Sequence, residues 1–128
     1  MSKAVLNILS TSYRATLEEQ DDTVLWLSQT LRANGAEIDI FLRGSCVNYA
    51  LKNASKPQLV IADWKQSHPA DIGMALQHLY RLGAKLYYLE EDAQEMGVAH
   101  DEMLSFIEPV TARNMPSLFA HYRYIWQW

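Results

Sequence analysis

Apolar positions along this chain fall into two patterns, short unbroken runs and longer stretches in which they recur every three or four residues. Residues 4–9 (AVLNIL) form the first run, broken only by Asn7, and read as a strand. Residues 17–34 follow with Val24, Leu27 and Leu31 on one helical face, and Gly35 closes the helix. Thr16 and Glu19 have capping-box spacing at its start, where Glu18, Glu19, Asp21 and Asp22 also match the positive end of the helix dipole. Residues 36–42 are β-prone and lead through Arg43-Gly44-Ser45-Cys46 into a short helix over 47–52, a second strand–turn–helix unit.

After the break at Lys56-Pro57, residues 58–64 (QLVIADW) read as a third strand. Pro69 opens a helix over 69–82 in which Ile72, Leu76 and Leu79 share a face and Gly83 marks the exit. Residues 85–89 (KLYYL) read as a fourth strand, 90–96 as a short helix ended by Gly97, and 104–107 as an extended stretch before Pro109. A helix over 114–120, with Pro116 in its first turn, precedes a last strand over 122–128. In that strand Tyr122, Tyr124, Trp126 and Trp128 alternate with Arg123, Ile125 and Gln127, giving one aromatic face. Strands alternating with helices predict an α/β fold: a three-layer α/β/α sandwich around a mostly parallel sheet.

With 128 residues, 49% apolar and 20% charged, the chain can bury a core and is expected to form one domain over residues 1–128. Its net charge of −4 argues against general nucleic-acid binding. No run approaches the roughly 18 apolar residues of a membrane-spanning helix, and the N-terminus has no secretory pattern, so a cytoplasmic protein is expected. Cys46 is the only cysteine, which excludes an internal disulfide or a cysteine-based zinc site.

Ligands of open α/β sheets bind at the carboxyl ends of strands, and that rule selects four segments. The first, Ser10-Thr11-Ser12-Tyr13-Arg14, offers hydroxyls and a cation to a phosphate but contains no glycine to let the backbone curl around one. In the second, Cys46 follows Gly44 and Ser45 near Arg43, which would favour a thiolate; the competing reading is a small side chain packed at the base of the helix. The third holds Asp63, Trp64 and His68, an acid and a base that a turn and a helix start explain equally well. The fourth, Glu90-Glu91-Asp92, could bind a cation, but three consecutive acids at a helix start read first as a solvated, dipole-matched cap. Histidines 68, 78, 100 and 121 are scattered, so no metal site is expected, and no cofactor fingerprint occurs. The aromatic face of the last strand either covers core or forms a subunit contact.

The element order, the FLRGSCV segment, the stretch KLYYLEEDAQEMGV and the ending IEPVTARNMPSLFAHYRYIWQW resemble the DsrE/DsrF/DsrH family of small sulfur-relay proteins, most closely its DsrF or TusC type. The resemblance implies a five-stranded α/β/α sandwich, assembly into homo-oligomers or mixed hexamers with DsrE-family subunits, and the passage of sulfane sulfur between carrier proteins. Sulfur-accepting members carry their cysteine after the strand that follows the long central helix, where this chain has Glu90, Glu91 and Asp92. Three functions therefore stand: an interaction subunit without chemistry of its own, a sulfur acceptor that uses Cys46, and a flavodoxin-like module for a small ligand.

Overall fold

The structure, a computed structural model, describes residues 3–11, 22–52, 60–65 and 71–128. Strands β1 (Lys3–Leu9), β2 (Ile38–Leu42), β5 (Leu86–Leu89), β6 (Ile107–Val110) and β7 (Tyr122–Gln127) make one five-stranded sheet in the order β6-β5-β2-β1-β7. Every neighbouring pair is parallel. Each step between neighbours therefore needs a crossover, and the connecting helices cover both faces.

On one face Val5, Leu9, Ile38, Ile40, Leu42, Leu86 and Tyr88 meet α1 (Thr23–Ala33) and α2 (Ile72–Arg81). Leu6, Ile8, Phe41, Tyr87 and Leu89 point to the other face, under α4 (Met115–Phe119). All five residues of β2 are buried, as its central place demands. This is the sandwich expected from the pattern. No described helix is long and apolar enough to cross a membrane.

Several boundaries differ from expectation. Asp22, not Thr16, caps α1: its Oδ1 accepts from the Val24 N–H at 2.9 Å while its Oδ2 takes the Tyr49 hydroxyl at 2.6 Å. A buried carboxylate that satisfies a helix end and a phenol at once fixes the start of the helix firmly. Thr16 and Glu19 lie outside the described residues, as does Pro69; α2 begins at Ile72 behind Asp71, whose Oδ1 accepts from the Met74 N–H.

The expected third strand is not part of the main sheet. Val60–Ile61 (β3) and Trp64–Lys65 (β4) instead pair antiparallel as a small hairpin, because the chain turns back at Ala62, whose φ is +52°. The expected helix over 47–52 is a 3-10 helix, Gly44–Ala50. The stretch expected over 104–107 is displaced to β6, which runs through Pro109. That is permitted because β6 is an edge strand, where a missing N–H can face outward. A six-residue helix, α3 (Glu90–Glu95), follows β5.

Candidate functional site

Five parallel strands place five carboxyl ends on one rim, and hydrogen bonds join them. The Arg43 N–H donates to the Leu9 carbonyl at 2.9 Å, tying the end of β2 to the end of β1. The Ser45 hydroxyl donates to the Ser10 carbonyl at 3.4 Å, and the Ser10 N–H donates to the Trp128 carbonyl at 3.1 Å. From β5, the Asp92 carboxylate accepts the Gly44 N–H at 2.6 Å, and Glu91 accepts the Ala112 N–H beyond β6 at 3.0 Å. Glu91 and Asp92 thus cap neighbouring loops, while all three acids stand in the first turn of their own helix. Gly44 sits in the left-handed region at φ +54°, which is why glycine serves at this crossing.

Cys46 lies one step below this rim in the 3-10 helix, with its N–H donating to the Arg43 carbonyl at 3.0 Å. Its exposure is 0%, and it packs in the same core cluster as Val47, Tyr49 and Leu42. Arg43 and Ser10 are half-buried, and Ser45 is exposed. The rim therefore unites Ser10, Arg43, Ser45 and Cys46 in one region, with the sulfur sealed beneath it. Ser12, Tyr13, Arg14 and His68 lie outside the described residues. Asp63 is exposed in the turn of the small hairpin, and Trp64 begins that hairpin's second strand. Among the described residues no three histidine, cysteine or acidic side chains are grouped to hold a metal ion.

The aromatic strand divides. Trp126 aligns with Asn7, and the Trp128 indole N–H donates to the Asn7 Oδ1 at 3.2 Å while Asn7 donates to the Ser28 hydroxyl of α1 at 2.9 Å. Trp126 and Trp128 thus face α1, where they border an open cavity of about 590 Å³ with Leu27 and Leu31. Tyr122 belongs instead to the α4 side, where its hydroxyl donates to the Asp39 Oδ2 at 2.5 Å. Tyr122 is buried, whereas Tyr124, Ile125, Trp126 and Trp128 are 50, 40, 40 and 37% exposed.

Asp39 was not among the residues singled out by the sequence, and it organises the opposite end of the sheet. It is fully buried, accepts from the Lys85 N–H at 2.9 Å and from Tyr122, and has the Arg32 guanidinium at 3.9 Å. The Tyr87 hydroxyl is hydrogen-bonded to Tyr122 as well. Burial pushes the Tyr122 phenol far above its ordinary value, and the bonded, negatively charged Asp39 adds to the shift. Burial also raises Tyr87, against a lowering by its bond to Tyr122. The available signal was an aspartate inside the apolar run IDIFL, the same kind of interruption as Asn7 in KAVLNIL.

The ychN protein from E.coli has a similar structure, with a TM-score of 0.71 and 15% identity over 100% of both chains. The fold is DsrE-like. The MTH1491 protein from Methanobacterium thermoautotrophicum is also similar, with a TM-score of 0.58 and 14% identity over 97% of each chain. No protein-family model and no curated protein sequence matches the chain. At these identities the likeness concerns the path of the backbone, so any role must be argued from the residues.

Proposed function

We propose that this chain serves sulfane-sulfur relay as an interaction subunit of the DsrF or TusC type, giving a surface to an oligomer rather than a reacting sulfur. The observation that carries the reading is the contrast between Cys46, at 0% exposure, and the end of the chain, where Tyr124 and Trp126 of β7 and Trp128 just after it reach solvent. A persulfide donor must bring its outer sulfur into contact with a thiolate, and a sealed thiol offers no approach. An exposed row of aromatic rings, by contrast, is the composition of an interface core. Its partners on this reading are further copies of the chain or DsrE-family subunits, with a sulfur-carrier protein docking on the assembly.

A second reading keeps Cys46 as the sulfur acceptor, with Arg43 favouring its thiolate, and is supported by the position of Cys46 just beneath the rim where the strand ends meet. In that reading the Cys46 thiolate attacks the outer sulfur of a donor persulfide, gains that sulfur and releases the donor as a thiolate. Intact-mass spectrometry after incubation of the native protein with a persulfide donor separates the two. The interaction-subunit reading expects no added sulfur until the protein is denatured. A native adduct of one sulfur that disappears in Cys46→Ser would establish the acceptor reading instead.

A further inference from the structure

The direction of the main-chain groups of β7 defines what its outer edge can hold. The Trp128 N–H donates to the Ile8 carbonyl, and the Ser10 N–H donates to the Trp128 carbonyl, so both polar groups of Trp128 point toward β1. By the alternation of a strand, Tyr124 and Trp126 also turn theirs inward, while Arg123, Ile125 and Gln127 turn theirs outward. Among the described residues no strand pairs with that outer edge.

We infer that two copies of the chain pair antiparallel along β7, about a two-fold axis at Ile125, to make one continuous sheet. This rests on the reading of the chain as an oligomer subunit and names the partner as a second copy. With the axis at Ile125, Arg123 stands opposite the partner's Gln127 and Ile125 opposite the partner's Ile125. Each of these outward residues both donates an N–H and accepts at a carbonyl. Moving the axis by one residue, to Tyr124 or Trp126, leaves outward groups unbonded, those of Gln127 in the first case and of Arg123 in the second.

The side chains agree with the same register. Tyr124 falls opposite the partner's Trp126 in the closer, non-hydrogen-bonded type of pair, where aromatic partners add stability. Ile125 meets its own copy, and Arg123 meets a neutral glutamine rather than another arginine, so no like charges oppose. Exposed area points the same way. Tyr124, Trp126 and Trp128 together offer roughly 250 Å² of ring surface per chain, taking about 200 Å² for each full side chain. Two copies then supply about 500 Å², before the strand edges and Ile125 are counted, toward the total of about 1,200 Å² typical of the smallest stable interfaces.

Cysteine cross-linking tests the register. In a hydrogen-bonded antiparallel pair the two Cα atoms lie about 5.5 Å apart, within disulfide reach. Ile125→Cys should therefore give a covalent dimer as its main species on mild oxidation, and a dimer with a short bismaleimide. Arg123→Cys places its two Cα atoms about 14 Å apart, four residues along the strand at about 3.4 Å each and one strand spacing across, and should stay uncrossed by oxidation. The double variant Arg123→Cys/Gln127→Cys should cross-link again. An oligomer by light scattering that cross-links at 123 and not at 125, or at neither, overturns the pairing but leaves the subunit reading standing. A monomer at every concentration overturns both.

Discussion

At one side of the sheet β6 ends the hydrogen-bonded ladder with four residues, one of them Pro109; at the other, β7 ends it with six and no proline. Pro109 removes a donor, exposed Glu108 adds a charge, and Glu91 ties down the following N–H of Ala112. These are the devices by which proteins stop an edge from recruiting another strand. Beside them, β7 carries Tyr124, Ile125 and Trp126 with solvent exposure. An edge left open with apolar side chains is an association surface, and the contrast within one sheet shows that closure was available to this sequence at β6.

The two edges are also anchored differently, and the largest expected effect lies there. Asp39→Ala leaves Tyr122, the Lys85 N–H and Arg32 without their buried acceptor and should cost about 3 kcal/mol in denaturant unfolding. Hydrogen exchange should show the amides of β7 losing more protection than those of β6; equal losses would mean that Asp39 does not anchor β7 specifically. Tyr122→Phe removes one donor and should cost about 1–2 kcal/mol.

Next come the edges themselves. Ile125→Pro removes an outward N–H that the single chain does not use, so it should abolish self-association with little loss of secondary structure by circular dichroism. Pro109→Val restores a donor to β6 and should add concentration-dependent association that the wild type lacks. If Pro109→Val changes nothing, its blunting role is refuted.

A pH scan gives a smaller effect. The Tyr122 and Tyr87 phenols are held neutral in the fold, above the value of 10.0 they have when unfolded. The stability this confers is present in full below pH 10 and is lost as pH rises beyond it, since the unfolded chain then releases protons that the folded one retains. Tyr122→Phe should flatten that alkaline decline in urea midpoints; an unchanged decline would place its origin elsewhere. Smallest of all, Glu91→Ala uncaps an exposed N–H near β6 and should cost no more than about 1 kcal/mol, with no change in oligomer size.

The strands of the main sheet were legible because central strands such as IDIFL and LYYL are apolar on both faces. Gly35, Gly83 and Gly97 marked helix ends through the positive φ that each adopts. Residues 58–64 misled because an apolar run reads as a core strand whether or not the chain can continue, and the turn at Ala62-Asp63 folds it back on itself. The rim was legible from strand order, since Ser10, Arg43 and Ser45 all follow strands. The burial of Cys46 was one of the two readings its sequence context left open, and the structure places the side chain in the core beside Val47 and Tyr49, at the base of the 3-10 helix. The division of the last strand was not legible: strict alternation puts Tyr122 with the other rings, and only Asp39, far away in sequence, draws it to the opposite face.

The most direct test of the account is the mass of the native protein by light scattering across a dilution series, beside that of Ile125→Lys, which sets two charges against each other at the inferred axis. The account predicts that the wild type runs at a multiple of 14.7 kDa and that folded Ile125→Lys falls toward that single-chain mass. A wild type that stays at 14.7 kDa at every concentration, or an Ile125→Lys variant that assembles as the wild type does, would contradict it.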